Sequence, residues 1–141
     1  PFTFAGLVVA SVLYSLPFAV QPFAAGFASV DRKLIQASAL LGASRMKTFF
    51  RVILPLTRAS VLTGMALSFA HTLGEFGVVL MVGGNIPGVT RTLSIAIYDD
   101  VQALDYAGAQ SNALALLLFS FLTLSLVYAL NRRSAAFWMA R

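Results

Sequence analysis

Residues 107–130 read AGAQSNALALLLFSFLTLSLVYAL, a stretch with no charged side chain, bounded by Asp105 and Arg132. About 20 predominantly apolar residues suffice for an α-helix to cross the hydrocarbon core of a bilayer. This run meets that length and is the clearest membrane-spanning segment of the chain.

Two more stretches follow the same rule. Residues 1–30 carry no charge, and the run 4–20 is rich in Ala, Val, Leu and Phe. Pro17 falls inside it, a kink that membrane helices tolerate when neighbours satisfy the freed carbonyl. Pro22 is expected to mark the approach to the surface. Residues 60–82 form the remaining span, with His71 and Glu75 as its ionisable groups. The expectation is an all-α integral membrane protein with about three transmembrane helices, 4–20, 60–82 and 107–130, plus short helices between them.

Composition agrees. Of 141 residues, 59% are hydrophobic and 11% charged, against about 45–50% and about 25% in soluble domains. Mean hydropathy is +0.85. These values exclude a disordered chain, a disulfide scaffold and almost any soluble globule, and point to a membrane protein. There is no cysteine, so disulfides, thiolate metal sites and cysteine nucleophiles are excluded, and His71 alone cannot supply a multi-histidine metal site. The chain opens on Pro1, directly in an apolar stretch without a basic leader, and reads as the later part of a longer protein. The net charge of +5 does not point to nucleic acid, because the basic residues lie between apolar spans, where they set orientation.

Segment 31–58 carries Arg32, Lys33, Arg45, Lys47, Arg51 and Arg58 against Asp31, whereas the loop 83–106 carries Arg91 against Asp99, Asp100 and Asp105. The tail adds Arg132, Arg133 and Arg141. Lys and Arg accumulate on the cytoplasmic side, so 31–58 and the C-terminus are expected there, with 83–106 and Pro1 outside.

The cytoplasmic segment has helical punctuation. Asp31 can cap a helix through Leu40, Gly42 suits its C-terminal end, and Ser44 can cap a second helix from Arg45 to about Ile53, near Pro55. That second helix carries Arg45, Lys47 and Arg51 with Phe49 and Phe50. It can rest on lipid headgroups as an amphipathic interfacial helix. It can equally be a docking knob, since aromatic and arginine side chains are enriched at interface hot spots.

Gln36-Ala37-Ser38, then Gly42, then Val52-Ile53-Leu54-Pro55 resemble the EAA loop of bacterial ABC-importer permeases. Gln36 stands where the pattern has Glu, Ser38 where it has a second Ala, and Val52 where it has Ile. Leu41-Gly42-Ala43-Ser44 and Phe49 also look like the family. The resemblance implies that this loop couples the permease to a nucleotide-binding ATPase subunit, through Gln36, Ala37, Ser38, Gly42, Ala43, Ser44, Arg45, Lys47, Phe49, Phe50 and Pro55. With Gln36 in place of Glu, any salt bridge the family makes there is not available.

Leu73-Gly74-Glu75-Phe76-Gly77, Gly83-Gly84-Asn85-Ile86-Pro87-Gly88 and Ser94-Ile95-Ala96-Ile97-Tyr98-Asp99, with the later Asp105-Tyr106, are similar to molybdate permeases of the ABC class. Sulfate permeases share the Gly-Glu-aromatic-Gly part. The resemblance covers essentially all of 1–141, as the C-terminal part of one permease domain. It implies a non-catalytic inner-membrane subunit in a bacterium, working as two permease copies with an ATPase and an extracytoplasmic oxyanion-binding protein. No P-loop is present, so this chain is expected to bind no cofactor, with ATP and Mg used by the ATPase partner.

Gly64, Ser68, His71 and Glu75 recur at helical spacing and share one face. They serve helix packing or line a pathway, since intramembrane ionisable residues face a bundle interior or wet cavity. A carboxylate facing a dianion's path would repel it, so Glu75 is expected to be structural, paired with Arg91 or a donor on another helix, or protonated if unpaired. Arg91 can guide an anion or bridge to Asp99 or Glu75. Asn85 to Gly88 suit a type II turn, and Gly83-Gly84 could present backbone N–H groups to an anion. Ser68, His71, Glu75, Asn85 and Arg91 are thus the pathway or gate candidates. Residues 91–106 suit a short outer helix with Ile95, Tyr98 and Tyr106 at the interface. Asn112, Phe119 and Thr123 suit packing, and Trp138 with the tail arginines suits an interfacial anchor.

Three function classes compete. A permease of an ATP-driven oxyanion importer accounts for the loop and spans. A membrane enzyme would need convergent acid, base or metal ligands, and His71 with Glu75 is the sole candidate pair. A secondary transporter or channel would not need the docking loop.

Overall fold

The computed structural model describes residues 2–139, with side chains described for 2–129. Pro1, the side chains of Arg132, Arg133 and Trp138, and all of Arg141 lie outside the described residues.

Helix α1, Phe4–Ala28, is capped by Thr3, whose hydroxyl accepts from the Gly6 N–H at 3.1 Å. It runs through both Pro17 and Pro22. The expected exit near Pro22 is therefore corrected, and Ser29 closes the helix by donating its hydroxyl to the Gly26 carbonyl at 2.7 Å. At 25 residues α1 is about 37 Å long, enough to span with tilt.

Helix α2, Arg32–Leu40, starts at Asp31, whose carboxylate accepts from the Lys33 N–H at 2.8 Å. It ends in a Schellman motif: the Gly42 N–H donates to Ala39 O at 2.9 Å and the Ala43 N–H to Ser38 O at 3.1 Å. The motif needs a left-handed residue after the cap, and Gly42 has φ +75°. Helix α3, Arg45–Thr48, begins at Ser44, which accepts from the Lys47 N–H.

Here the structure departs from the expected short helix ending near Pro55. α3 passes through a π-helical segment, Phe49–Ile53, directly into α4, Leu54–Gly74. Pro55 sits in the first turn of α4, where its missing N–H and fixed φ are tolerated. The π-helical widening lies immediately before it, where Pro55 has no N–H to return to the preceding turn. Thr57, 2% exposed, donates its hydroxyl to Ile53 O at 3.0 Å across the junction. The span is thus one continuous rod, Arg45–Gly74.

The expected span 60–82 is also corrected. α4 stops at Gly74, Glu75 is extended, and α5, Gly77–Gly83, starts anew. The Glu75 carboxylate accepts from the Val78 N–H at 2.8 Å, so a side chain takes the donor that a continuing helix would have used. α6, Leu93–Gln102, is capped by Thr92. α7, Tyr106–Met139, follows the left-handed Leu104, and Asp105 accepts from the Gly108 N–H at its start.

Three helices among the described residues are long and apolar enough to cross a membrane: Phe4–Ala28, Arg45–Gly74 and Tyr106–Ala129. α1 and α4 are antiparallel. Ser15 meets Ser68 and Thr72, Phe23 meets Gly64, and Gly26 meets Ser60. A small core of Leu7, Val79 and Ile95, flanked by Phe76 and Leu80, ties α1, α5 and α6 together at one end. Ile95, expected at the interface, is instead 0% exposed, because α5 and α1 fold over it. The most apolar stretch of α7 buries none of its residues within the chain, so lipid or other helices cover it. Everything described is helical or loop, and the protein is an all-α membrane protein.

Candidate functional site

The loop unit and the seam between α1 and α4 hold most of the candidate residues. In the loop unit, Gln36, Ala37 and Ser38 lie on α2, and Gly42, Ala43 and Ser44 form the turn. Arg45 and Lys47 lie on α3, Phe49 and Phe50 in the π-helical segment, and Pro55 in α4. Ser38 and Thr48 join the two helices across the turn by a 2.9 Å hydroxyl–hydroxyl bond, with Thr48 6% exposed. Ser38 departs from the family pattern, yet it is the α2 residue that makes this bond. The Phe49 ring lies tilted at 6.2 Å from Phe27 of α1 and edge-to-face at 5.2 Å from Phe50. The unit is therefore fastened to both α1 and α4. Its tip presents Leu40, Leu41 and Met46, all strongly exposed; of these the family resemblance includes Leu41 and not Leu40 or Met46.

In the seam, Ser68 and His71 share a face of α4 turned to α1, while Glu75 lies just past the end of α4 and reaches His71. Ser68 donates to Ser15 O at 3.2 Å. The His71 ring lies 3.9 Å from Phe18, stacked, and 5.2 Å from Tyr14. Its Nδ1 is 3.1 Å from Ser15 Oγ, and its Nε2 is 3.9 Å from Glu75 Oε2. Ser15 and Thr72 complete the cluster at 2.7 Å. Neither had been singled out, although Ser15 stands out as a hydroxyl in an uncharged span. Gly64 serves close packing, since a Cβ there would lie 2.6 Å from Phe23 Cε1 and 2.9 Å from Ala19 O. A cleft of about 560 Å³ opens beside the seam, lined by Ser11, Ser15, Ala19, Ser68 and Thr72 among apolar neighbours. Ser68 lines it; His71 and Glu75 do not.

Asn85 and Arg91 come together elsewhere. Arg91 Nη2 pairs with Asp99 Oδ2 at 2.9 Å, and Asn85 Nδ2 donates to the same oxygen at 2.8 Å. Of the two bridges open to Arg91, the structure forms the one to Asp99. Glu75 lies beside His71 and accepts from the Val78 N–H of α5, a donor on another helix, and it does not pair with Arg91. The turn at Ile86–Val89 closes with the Val89 N–H on Ile86 O at 3.1 Å, and Gly88 has φ +74°, as a type II turn requires. The Gly83-Gly84 anion nest does not form. The Gly84 N–H donates to Leu80 O, and Gly83 packs on Leu7 and Thr90. Arg91, Thr92, Asp100 and Asn112 line a second, polar cleft of about 490 Å³. Asn112 is held there by Asp100 at 2.7 Å, and Phe119 packs at 6.1 Å on Phe69.

The sequence that builds this knob and rod has counterparts among known proteins. Residues 1–135 match the family described as binding-protein-dependent transport system inner membrane component. The chain belongs to this family. As such it is a multi-pass membrane permease component. It is 51% identical over 135 residues to the molybdenum transport system permease protein ModB of Azotobacter vinelandii, covering 96% of this chain and 60% of that one. It is 42% identical over 123 residues to a putative molybdenum transport system permease protein of Bacillus subtilis, covering 87% of this chain and 54% of that one. It is 35% identical over 128 residues to a probable sulfate transport system permease protein of Chlorella vulgaris, covering 91% and 48%. The permease component thus spans about half to three-fifths of the length of these relatives.

Proposed function

We infer that this chain is part of the permease subunit of an ATP-driven oxyanion importer, with molybdate as the substrate. The 51% identity to a molybdenum transport permease over nearly the whole chain is the observation that carries this reading. The weaker likeness to a sulfate permease keeps sulfate, and with it tungstate, as the second reading. The chain hydrolyses nothing itself and binds no cofactor. ATP and Mg are used by a separate nucleotide-binding subunit, and the knob from Gln36 to Phe50 docks in that subunit.

Rigidity supports the coupling role. A Schellman turn, the Ser38–Thr48 bond and the unbroken rod Arg45–Gly74 transmit a push from the knob into the bilayer. The basic segment 31–58 and the C-terminus face the cytoplasm, and the loop 83–106 faces outward, towards an extracytoplasmic oxyanion-binding protein. A second permease copy completes the path. Ser68, on the cleft beside α1, borders that path, and Arg91 stands at its outer end.

The test is oxyanion uptake by the permease reconstituted with its ATPase and binding protein, comparing wild type with Gly42→Asp. An L-residue in the left-handed conformation costs about 1–2 kcal/mol, enough to reshape the turn. ATP-dependent molybdate uptake that disappears in the inserted variant is the expected result, and competition by sulfate or tungstate ranks the anions. Uptake without ATP, untouched by the substitution, would overturn the docking role and favour a secondary transporter.

A further inference from the structure

The seam hydroxyls fix where the protons of His71 lie. Thr72 Oγ1 is 2.8 Å from Ser68 O, and a carbonyl can only accept, so Thr72 spends its one proton there. Ser15 Oγ, 2.7 Å from Thr72 Oγ1, must then donate to Thr72. Ser15 has no second proton, so its 3.1 Å contact with His71 Nδ1 is a bond only if Nδ1 carries the hydrogen. The chain runs in one direction: His71 Nδ1–H to Ser15, Ser15 to Thr72, Thr72 to Ser68 O. Ser15 is 5% exposed, so water does not readily replace its partners.

With Nδ1 protonated, a neutral imidazole would turn a bare Nε2 lone pair towards Glu75 Oε2, 3.9 Å away. Two acceptors facing each other in a low-dielectric seam repel. Glu75 Oε1 already accepts from the Val78 N–H, which leaves Oε2 as the oxygen able to carry or receive a proton. We propose that His71 and Glu75 form a proton-binding site that carries one proton, on Nε2 or on Oε2. As imidazolium with carboxylate, or imidazole with carboxylic acid, the pair has no net charge. It therefore presents no net repulsion to an anion crossing beside α1. From α1, Tyr14, Ser15 and Phe18 surround the ring. Tyr14 is the further titratable side chain in contact with it, α5 contributes the Val78 N–H, and α4 adds Thr72 and Ser68. The anion consequence rests on the importer reading; the proton site itself does not.

The chain has one histidine and one glutamate, so residue-type labelling reads single sites. The permease labelled with 15N-histidine and 13C-carboxyl glutamate is examined by solid-state NMR in lipid bilayers, with His71→Gln and Glu75→Gln confirming assignments. The expected result is a protonated Nδ1 with either a protonated Nε2 and an ionised carboxylate, or a bare Nε2 and a carboxylic acid. A bare Nδ1, or a bare Nε2 beside an ionised carboxylate, overturns the site. Uptake tests the charge role separately. His71→Gln is expected to lower oxyanion uptake about tenfold by leaving the carboxylate without its proton partner. Adding Glu75→Gln is expected to restore most of it. A double variant no better than His71→Gln overturns the charge role. Loss of all ATP-driven oxyanion uptake in wild type overturns the importer reading and leaves the NMR result standing.

Discussion

Gly64 of α4 faces Phe23 of α1 so closely that a methyl group on Gly64 would sit 2.6 Å from Phe23 Cε1. A second glycine repeats the arrangement one turn away, where a Cβ on Gly26 would lie 2.6 Å from Ser60 Oγ. Small residues of this kind let helix backbones approach in a membrane, where association depends on van der Waals packing rather than on expulsion of water. The distance between α1 and α4 is set by these two positions, and the seam bonds of Ser15, Ser68 and His71 depend on it.

Gly64→Leu should therefore separate the helices. Overpacking costs about 1–3 kcal/mol, with the seam bonds lost in addition. Thermal unfolding in detergent should show a clear fall in Tm, with the same substitution at the open Gly74 shifting it less, since nothing lies within 4 Å of a Cβ there. Equal shifts at the two sites would show that close approach is not what Gly64 provides.

The knob should lose rigidity when Ser38 or Thr48 becomes Ala. A double-mutant cycle should return a coupling energy of about 0.5–1.5 kcal/mol for the buried hydroxyl pair. Strictly additive losses would mean the 2.9 Å bond contributes nothing to holding α2 on α3.

Thr90 is 1% exposed, donates to Gly83 O at 2.7 Å and accepts from the Ile86 N–H at 3.0 Å. Thr90→Val keeps the shape and strips both partners, which should cost about 1–3 kcal/mol. Amide exchange at Ile86 should accelerate. Unchanged protection there would mean another acceptor replaces the hydroxyl.

Arg91 and Asp99 are about a third exposed, and exposed ion pairs are worth roughly 0–1 kcal/mol. Arg91→Gln should thus leave Tm nearly unchanged. Asp99→Ala, which also frees Asn85, should lower it more. If Arg91 guides the anion, its loss appears in the KM for uptake and weakens with salt. A large Tm drop for Arg91→Gln with unchanged KM would make it purely structural.

Much of the local order was legible in the sequence. Hydropathy over 107–130 announces a span, Asp31 and Ser44 announce helix starts, and Gly42 announces a left-handed turn. Each of these depends on neighbours in the chain, and the physics of caps and of bilayer thickness acts at that range. The helix boundaries at Pro55 and Glu75 were misread for a related reason. A proline can open a helix as well as close one, and a carboxylate inside an apolar run can follow the end of one helix and accept from the first turn of the next.

The sequence by itself determined that this chain lives in a bilayer as helices, and that a stiff turn projects from it, because burial in lipid and backbone capping are local requirements. Only the tertiary structure decided who meets whom. His71 finds Ser15, Glu75 finds His71, Arg91 finds Asp99, and Ile95 is buried beneath α5 and α1. The Ser15–His71 pairing needs α1 and α4 to lie within reach, and the two glycines that permit it become meaningful only when Phe23 and Ser60 are seen opposite them.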